Sequence, residues 1–176
     1  MQTVIDIRMM AAADIPAVLE IQAVCYTELT PESEVSLHAK LRASQSTCLI
    51  ASLEGDTVGY LISLPWTFSS PPVLNAETCR LPSSPDCLYL HDLAVTPGAR
   101  KSGAGRALVE AFLTQLRELD LGRASLIAVQ NSAPYWERYG FLAVPLSEPL
   151  KAKLATYGEC VQYMERAQFT FTNSSR

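Results

Sequence analysis

Apolar and polar residues alternate along the first segment, Thr3 to Met9, where Val4, Ile5, Ile7 and Met9 surround Asp6 and Arg8; this predicts a strand. The period then lengthens. Asp14 reads as a helix cap, Pro16 is tolerated in the first turn, and the helix runs to about Cys25. Thr30-Pro31-Glu32 repeats the start signal and opens a second helix to about Ser44, carrying Val35, Leu37, Ala39 and Leu41 with His38 and Lys40 among them. Two apolar runs, Thr47 to Leu53 and Thr57 to Leu64, flank the turn Glu54-Gly55-Asp56 and predict an antiparallel hairpin. The second run is almost wholly apolar, which places it centrally in a sheet covered on both faces. From Pro65 to Asp86 five prolines and several serines forbid regular structure. That connection exceeds the ~12 to 15 residues usual in compact domains, so it is either a lid or disordered.

The pattern is most informative from Tyr89 to Leu119. A β-branched and apolar run ends at Val95, a turn rich in Pro, Gly, Arg and Lys follows, and apolar residues then recur at helical spacing. Leu108, Ala111, Phe112, Leu116 and Leu119 fall on one face, with Arg106, Glu110, Arg117 and Glu118 away from it, so the helix docks on a sheet. Gly122 ends that helix and Ala124 to Val129 forms a buried strand. A short helix starts near Ser132 and closes at Gly140, followed by a strand from Phe141 to Pro145. The tail holds a polar connection with Lys151, Lys153 and Tyr157, then a last strand from Val161 to Phe171.

Composition narrows the class. The 176 residues suit one domain spanning 1–176, nearly half are apolar, and no run of ~20 uninterrupted apolar residues occurs, so a soluble protein with no membrane partner is expected. The N-terminus lacks the basic start, apolar core and small-residue cleavage site of a secretory signal, which points to the cytoplasm. Cys25, Cys48, Cys79, Cys87 and Cys160 are odd in number and scattered, without C-x-x-C or Cys/His ligand spacing, and read as reduced thiols with no metal. A net charge of −4 argues against a nucleic-acid partner and is compatible with a cationic substrate.

Positive charge is instead local. The first turn of a helix offers unpaired N–H groups and the positive end of its dipole. Gly103 and Gly105 open the approach, and Arg100, Lys101 and Arg106 add charge, so the loop is a phosphate cradle. A P-loop is excluded because Gly103 is followed by Ala104 and Gly105 rather than Lys and a hydroxyl. A dinucleotide fingerprint is excluded because position 108 is Leu108 and no mononucleotide-binding half precedes it.

Arg100-Lys101-Ser102-Gly103-Ala104-Gly105, directly after the strand LAVTP, resembles the R/Q-x-x-G-x-G/A signature of the GNAT N-acetyltransferases. The segment PYWERYGF resembles that family's F-Y-x-x-x-G-F segment, and the order β, α, α, β, β, β, α, β, α, β, β matches its fold along essentially the whole chain. The resemblance implies an α/β (α+β) fold, a mixed, mostly antiparallel sheet of about seven strands flanked by about four helices. It also implies transfer of acetyl from acetyl-CoA, as co-substrate and without a metal, directly to a primary amine, with a small-molecule acceptor first in line. A protein or peptide acceptor, or a catalytically weak acyl-CoA-binding sensor, are the alternatives, and a homodimer is compatible with all three. The proline-rich segment is then favoured as a lid bringing Trp66, Phe68 and Arg80 near the acceptor.

Site residues follow from the same resemblance. The pyrophosphate falls to Arg100, Lys101, Ser102, Gly103, Ala104, Gly105 and Arg106, and the pantetheine arm to the backbone of Leu93, Ala94 and Val95, where the family has a bulge. Asn131 is a hydrogen-bonding partner of that arm. Tyr89-Leu90-His91-Asp92-Leu93 is similar to the segment of arylalkylamine N-acetyltransferases that carries two histidines, with His91 at the second and Tyr89 at the first. Imidazole, with a reference pKa of ~6.5, suits relay of a proton from an alkylammonium, which makes His91 the general-base candidate. Without a bulge before position 91, alternation puts Tyr89, His91 and Leu93 on one face and Leu88, Leu90 and Asp92 on the other. The family's acid, a tyrosine, is replaced by Trp136, whose indole N–H donates a hydrogen bond but no proton. Tyr157, Tyr135, Tyr139 or water are the substitutes, and Tyr135 and Tyr139 are expected to face the core.

Overall fold

The computed structural model describes residues 4–167. Its sheet has seven strands in the order β1-β2-β3-β4-β5-β7-β6. The strands are β1 (Ile5–Met9), β2 (Cys48–Leu53), β3 (Asp56–Trp66), β4 (Cys87–Val95), β5 (Arg123–Ala128), β6 (Leu142–Ala143) and β7 (Gln162–Ala167). Only β4 and β5 run parallel; every other neighbouring pair is antiparallel. Among the described residues five α-helices cover the two faces: α1 (Ile15–Cys25), α2 (Glu34–Ala43), α3 (Ala104–Glu118), α4 (Ala133–Glu137) and α5 (Glu148–Leu154). The mixed α/β architecture matches the expectation, with one helix more. That helix, α5, lies in the segment read as a polar connection. Ser147 caps it by accepting from Leu150 N–H, and Leu150 and Leu154, a turn apart, anchor it.

Burial explains the faces. On β3, Leu61 packs under α3 whereas Tyr60 and Ile62 pack under α1 and α2, so both sides need apolar residues, as the run from Thr57 to Leu64 required. On α3 the buried stripe is Ala104, Leu108, Val109, Phe112 and Leu116, each large member worth about 1.5–3 kcal/mol on full burial. Leu119, assigned to that stripe, is 42% exposed, because the helix ends at Glu118 and the chain turns away. The left-handed residue of that turn is Asp120, not Gly122. The second start signal is also displaced: Ser33 caps α2 by accepting from Ser36 N–H, which frees Glu32 from the helix. The strand expected from Phe141 to Pro145 shortens to β6, and the outer ends of the first and last predicted strands, Thr3 and residues 168–171, lie outside the described residues.

Two irregularities open the sheet. β4 pairs with β5 only at Leu88↔Ala124, Tyr89↔Ser125 and Leu90↔Leu126, and beyond Leu90 the strands part. On the other edge of β4 the register passes from Ser63↔Leu90 to Ile62↔Asp92, leaving His91 as the extra residue of a β-bulge. The break and the bulge therefore fall at one level of the sheet.

Candidate active site

The bulge reorders the faces of β4. Ahead of it Leu88 and Leu90 face the α3 core; after it Leu93 and Val95 do, while Asp92 and Ala94 join the face covered by α1 and α2. Tyr89, His91 and Asp92 thus share a side and Leu93 leaves it, which corrects the grouping that simple alternation gives. Thr96 N–H donates to Val58 O on β3, so Ala94 and Asp92 also point their backbone groups to β3, and Leu93 and Val95 point theirs the opposite way. Their carbonyls are met there by α1: Tyr26 hydroxyl lies 3.1 Å from Leu93 O and Cys25 Sγ 3.3 Å from Val95 O. The N–H groups of Leu93 and Val95 share that edge, where β5 no longer pairs.

A cavity of about 550 Å³ fills the gap. One end is formed by Arg100, Gly105, Val129, Gln130, Tyr135 and Arg138, the middle by Leu93, Ala94 and Val95, and the other end by Glu32, Leu74, Tyr89, His91 and Tyr157. At the glycine end, Gly103 is the N-cap of α3, with φ of +94° and no side chain of its own to cap it. Ser102 Oγ donates to Ala99 O at 2.7 Å and accepts from Ala104 N–H at 3.2 Å, which fixes the loop. A Cβ on Gly105 would stand 3.1 Å from the Tyr135 hydroxyl, so the tip of that phenol reaches the loop end while its ring, like that of Tyr139, packs against the α3 core as expected.

Not every predicted residue lines this cavity. Arg100, Gly105 and Trp136 do; Lys101, Ser102, Gly103 and Ala104 form the loop beside it. Arg106 is turned outward and bonded to Glu110 at 2.7 Å, and Asn131 is exposed while its neighbour Gln130 lines the wall; both carry left-handed φ. Trp136 is 6% exposed and sits in an aromatic cluster with ring centres 5.0 Å from Tyr135 and 5.8 Å from Phe141. Arg138, whose guanidinium carbon lies 5.1 Å from the Tyr135 ring centre, is a cation at this end that the sequence reading did not single out. Its place at i+3 from Tyr135 around the short α4 was the available signal.

The other end is a buried polar network. His91 Nε2 is 3.0 Å from Glu32 Oε2, with side chains 3% and 9% exposed. Glu32 Oε1 accepts from Lys40 Nζ at 2.8 Å, Ser36 Oγ at 3.3 Å and Asn75 N–H at 3.2 Å. Burial alone would raise the Glu32 carboxyl, but the charge of His91, with the charge and hydrogen bond of Lys40, more than offsets it and holds it well below the usual range. Asp92 is the opposite case: burial raises its carboxyl, although the Tyr26 and Tyr60 hydroxyls donate to it, Tyr60 at 2.6 Å. The Tyr89 hydroxyl faces that of Tyr157, which donates to Pro72 O at 2.8 Å. Burial pushes Tyr157 up to about 12.

The proline-rich segment is ordered against this end by other residues than expected. Asn75 accepts from Ser33 N–H at 2.7 Å and Leu74 lines the cavity. Phe68 packs instead on Tyr163, under Arg123, and Trp66 and Arg80 border a separate groove. In sequence Glu32 belongs to a helix-start signal and Lys40 to the helix it opens, and no local spacing links them to His91.

No helix among the described residues is long and apolar enough to cross a membrane, and none of their His, Cys, Asp and Glu side chains cluster in threes as a metal site. Similar solved structures share the fold. The loading GNATL domain of CurA from Lyngbya majuscula is 12% identical with a TM-score of 0.76, covering 93% of this chain and 98% of that one. The ribosomal-protein-S18-alanine N-acetyltransferase from Escherichia coli is 17% identical with a TM-score of 0.67, covering 98% and 100%. Rv2747 from Mycobacterium tuberculosis, in complex with CoA and NLQ, is 18% identical with a TM-score of 0.65, covering 93% and 99%. No curated protein is significantly similar in sequence. The Acetyltransferase (GNAT) family profile matches residues 15–141, from the first residue of α1 through Phe141, and so takes in the bulged β4, the glycine loop and the aromatic cluster. The chain belongs to the GNAT acetyltransferase family.

Proposed function

We propose that the protein is an acetyl-CoA-dependent N-acetyltransferase acting directly on a small primary amine. The observation that carries this reading is the single cavity that joins the glycine loop to the Glu32–His91 network past the bulge of β4. Arg100, Arg138 and the Gly103 and Gly105 N–H groups suit the pyrophosphate, and the Leu93 and Val95 N–H groups suit the pantetheine arm and the thioester carbonyl. Bound acetyl-CoA supplies an acetyl group activated as a thioester. His91 accepts a proton from the alkylammonium, directly or through water, which gives the amine the lone pair that forms the new C–N bond. As the C–S bond breaks, the thiolate, with an ordinary pKa of ~8.5, must gain a proton. The Tyr157 O–H is already donated to Pro72 O, so its part is hydrogen bonding, and the proton that the nitrogen sheds on forming the amide reaches the thiolate through water.

A small acceptor is favoured over a peptide because the proline-rich segment is bonded across the acceptor end through Asn75 and Pro72. The decisive measurement is release of free CoA thiol with a panel of small amines and N-terminal peptides. Turnover with small amines supports the reading, and turnover with peptides alone moves the acceptor to the protein class. Tight CoA binding without turnover on any amine would make the chain an acyl-CoA sensor.

A further inference from the structure

The imidazole of His91 has two nitrogens, and only one can carry the lone pair that accepts a proton. The surroundings of Glu32 decide which. Its backbone N–H donates to Gln22 Oε1 at 3.3 Å, and its Oε1 is occupied by donors from Ser36, Lys40 and Asn75. Gln22 of α1 thus fixes the backbone of Glu32, while α2 and the proline-rich connection hold its carboxylate in one orientation. Its other oxygen, Oε2, is left facing His91 Nε2 at 3.0 Å. The contact has ion-pair distance without hydrogen-bond alignment, as is common for catalytic pairs before substrate closes the site. His91 Nδ1 is buried and has no partner among the described residues.

We propose that Glu32 is a positioning residue for His91: its carboxylate fixes the neutral imidazole as the Nε2–H tautomer, leaving Nδ1 as the ring nitrogen with the free lone pair. Neutral imidazole has one N–H. Placed on Nε2, it faces the negative charge of a carboxylate oxygen 3.0 Å away. Placed on Nδ1, it would set the Nε2 and Oε2 lone pairs against each other 3.0 Å apart in a buried site. The Lys40 ammonium, 2.8 Å from Oε1, favours the ionised form of Glu32 also when His91 is neutral. This inference rests on the acetyl-transfer reading for the use of Nδ1, but the tautomer is measurable without it.

The chain has two histidines, so nitrogen-15 NMR of histidine-labelled protein gives two ring systems, assigned with His38→Gln. Under alkaline conditions His91 should show a protonated Nε2 and a pyridine-like Nδ1. In Glu32→Gln the amide oxygen must turn to the Lys40, Ser36 and Asn75 donors, so the NH₂ faces Nε2 and the tautomer reverses to Nδ1–H. kcat should then fall about 10²- to 10⁴-fold with the KM for acetyl-CoA unchanged, as when a carboxylate that orients a catalytic imidazole is replaced by its amide. A native Nδ1–H tautomer, or an unchanged tautomer in Glu32→Gln, overturns the positioning role and leaves acetyl transfer standing. Absence of turnover on any amine, with the tautomer as expected, overturns acetyl transfer and with it the catalytic use of Nδ1.

Discussion

The two ends of the cavity are built on opposite principles. The glycine-loop end comes from one contiguous stretch, uses backbone N–H groups, and leaves Lys101 and Arg106 exposed to water. The Glu32–His91 end is assembled from the α1–α2 loop, α2, the proline-rich segment and β4, and its charges are buried. Exposed cations around a loop are screened and individually replaceable, whereas buried charges are coupled to one another and to folding. Substitutions at one end should therefore leave the other's readout intact, and the following variants test that separation.

The largest effect is expected from Lys40→Met. Its side chain is 2% exposed, and removing one partner of a buried pair costs about 3–5 kcal/mol. The pH dependence has a definite sign. The Glu32 carboxyl is held well below its unfolded value, so its contribution is fully present above a pH of ~4.3 and is lost as pH falls through the folded pKa. Denaturation of the native protein should show that acid-side loss, and Lys40→Met should weaken it along with the overall stability. An unchanged denaturation midpoint at neutral pH would mean that the two ends do not differ in kind.

His91→Ala should lower kcat by about 10²- to 10⁴-fold, mostly at lower pH where the amine is most protonated, without moving CoA affinity. An unaltered pH–rate profile would remove His91 from the mechanism. Gly103→Val reverses the pattern. At φ of +94° a β-branched residue adds about 1–3 kcal/mol of strain, and the loop must move to relieve it, so the cradle loses its shape and CoA should bind at least about tenfold more weakly. Calorimetry with CoA measures this directly, and unchanged affinity would sink the pyrophosphate assignment.

The same contrast explains what the sequence disclosed. Arg100 to Gly105 is local, so its spacing alone carried both the cradle and the helix behind it. Phe141 and the apolar stripe from Leu108 to Leu116 were legible because burial imposes a period on consecutive residues. Glu32 was not legible, since its partners His91 and Asn75 are distant in sequence and its neighbours resemble a helix start. The bulge at His91 was equally hidden. An extra residue leaves no mark on an apolar run, yet it moved Asp92 and Leu93 to opposite faces. Phe68 and Arg80 failed as lid residues because aromatic and charged types do not say which side of an irregular segment turns inward. Leu74 and Asn75 do that instead.

The smallest effect should come from Tyr157→Phe, and it tests where the thiolate obtains its proton. The hydroxyl's bond to Pro72 O ties α5 and its following turn to the proline-rich segment, a net contribution of about 0.5–1.5 kcal/mol. Its loss should quicken amide hydrogen exchange around Asn75 and lower kcat less than about tenfold. Because burial pushes Tyr157 up to about 12, the native enzyme should show no alkaline decline from this group over the ordinary assay range. A loss of 10²-fold or more, with exchange near Asn75 unchanged, would instead make Tyr157 the acid. The proton donor would then belong to the same buried network as Glu32 and His91, and water would have no chemical part at the thioester.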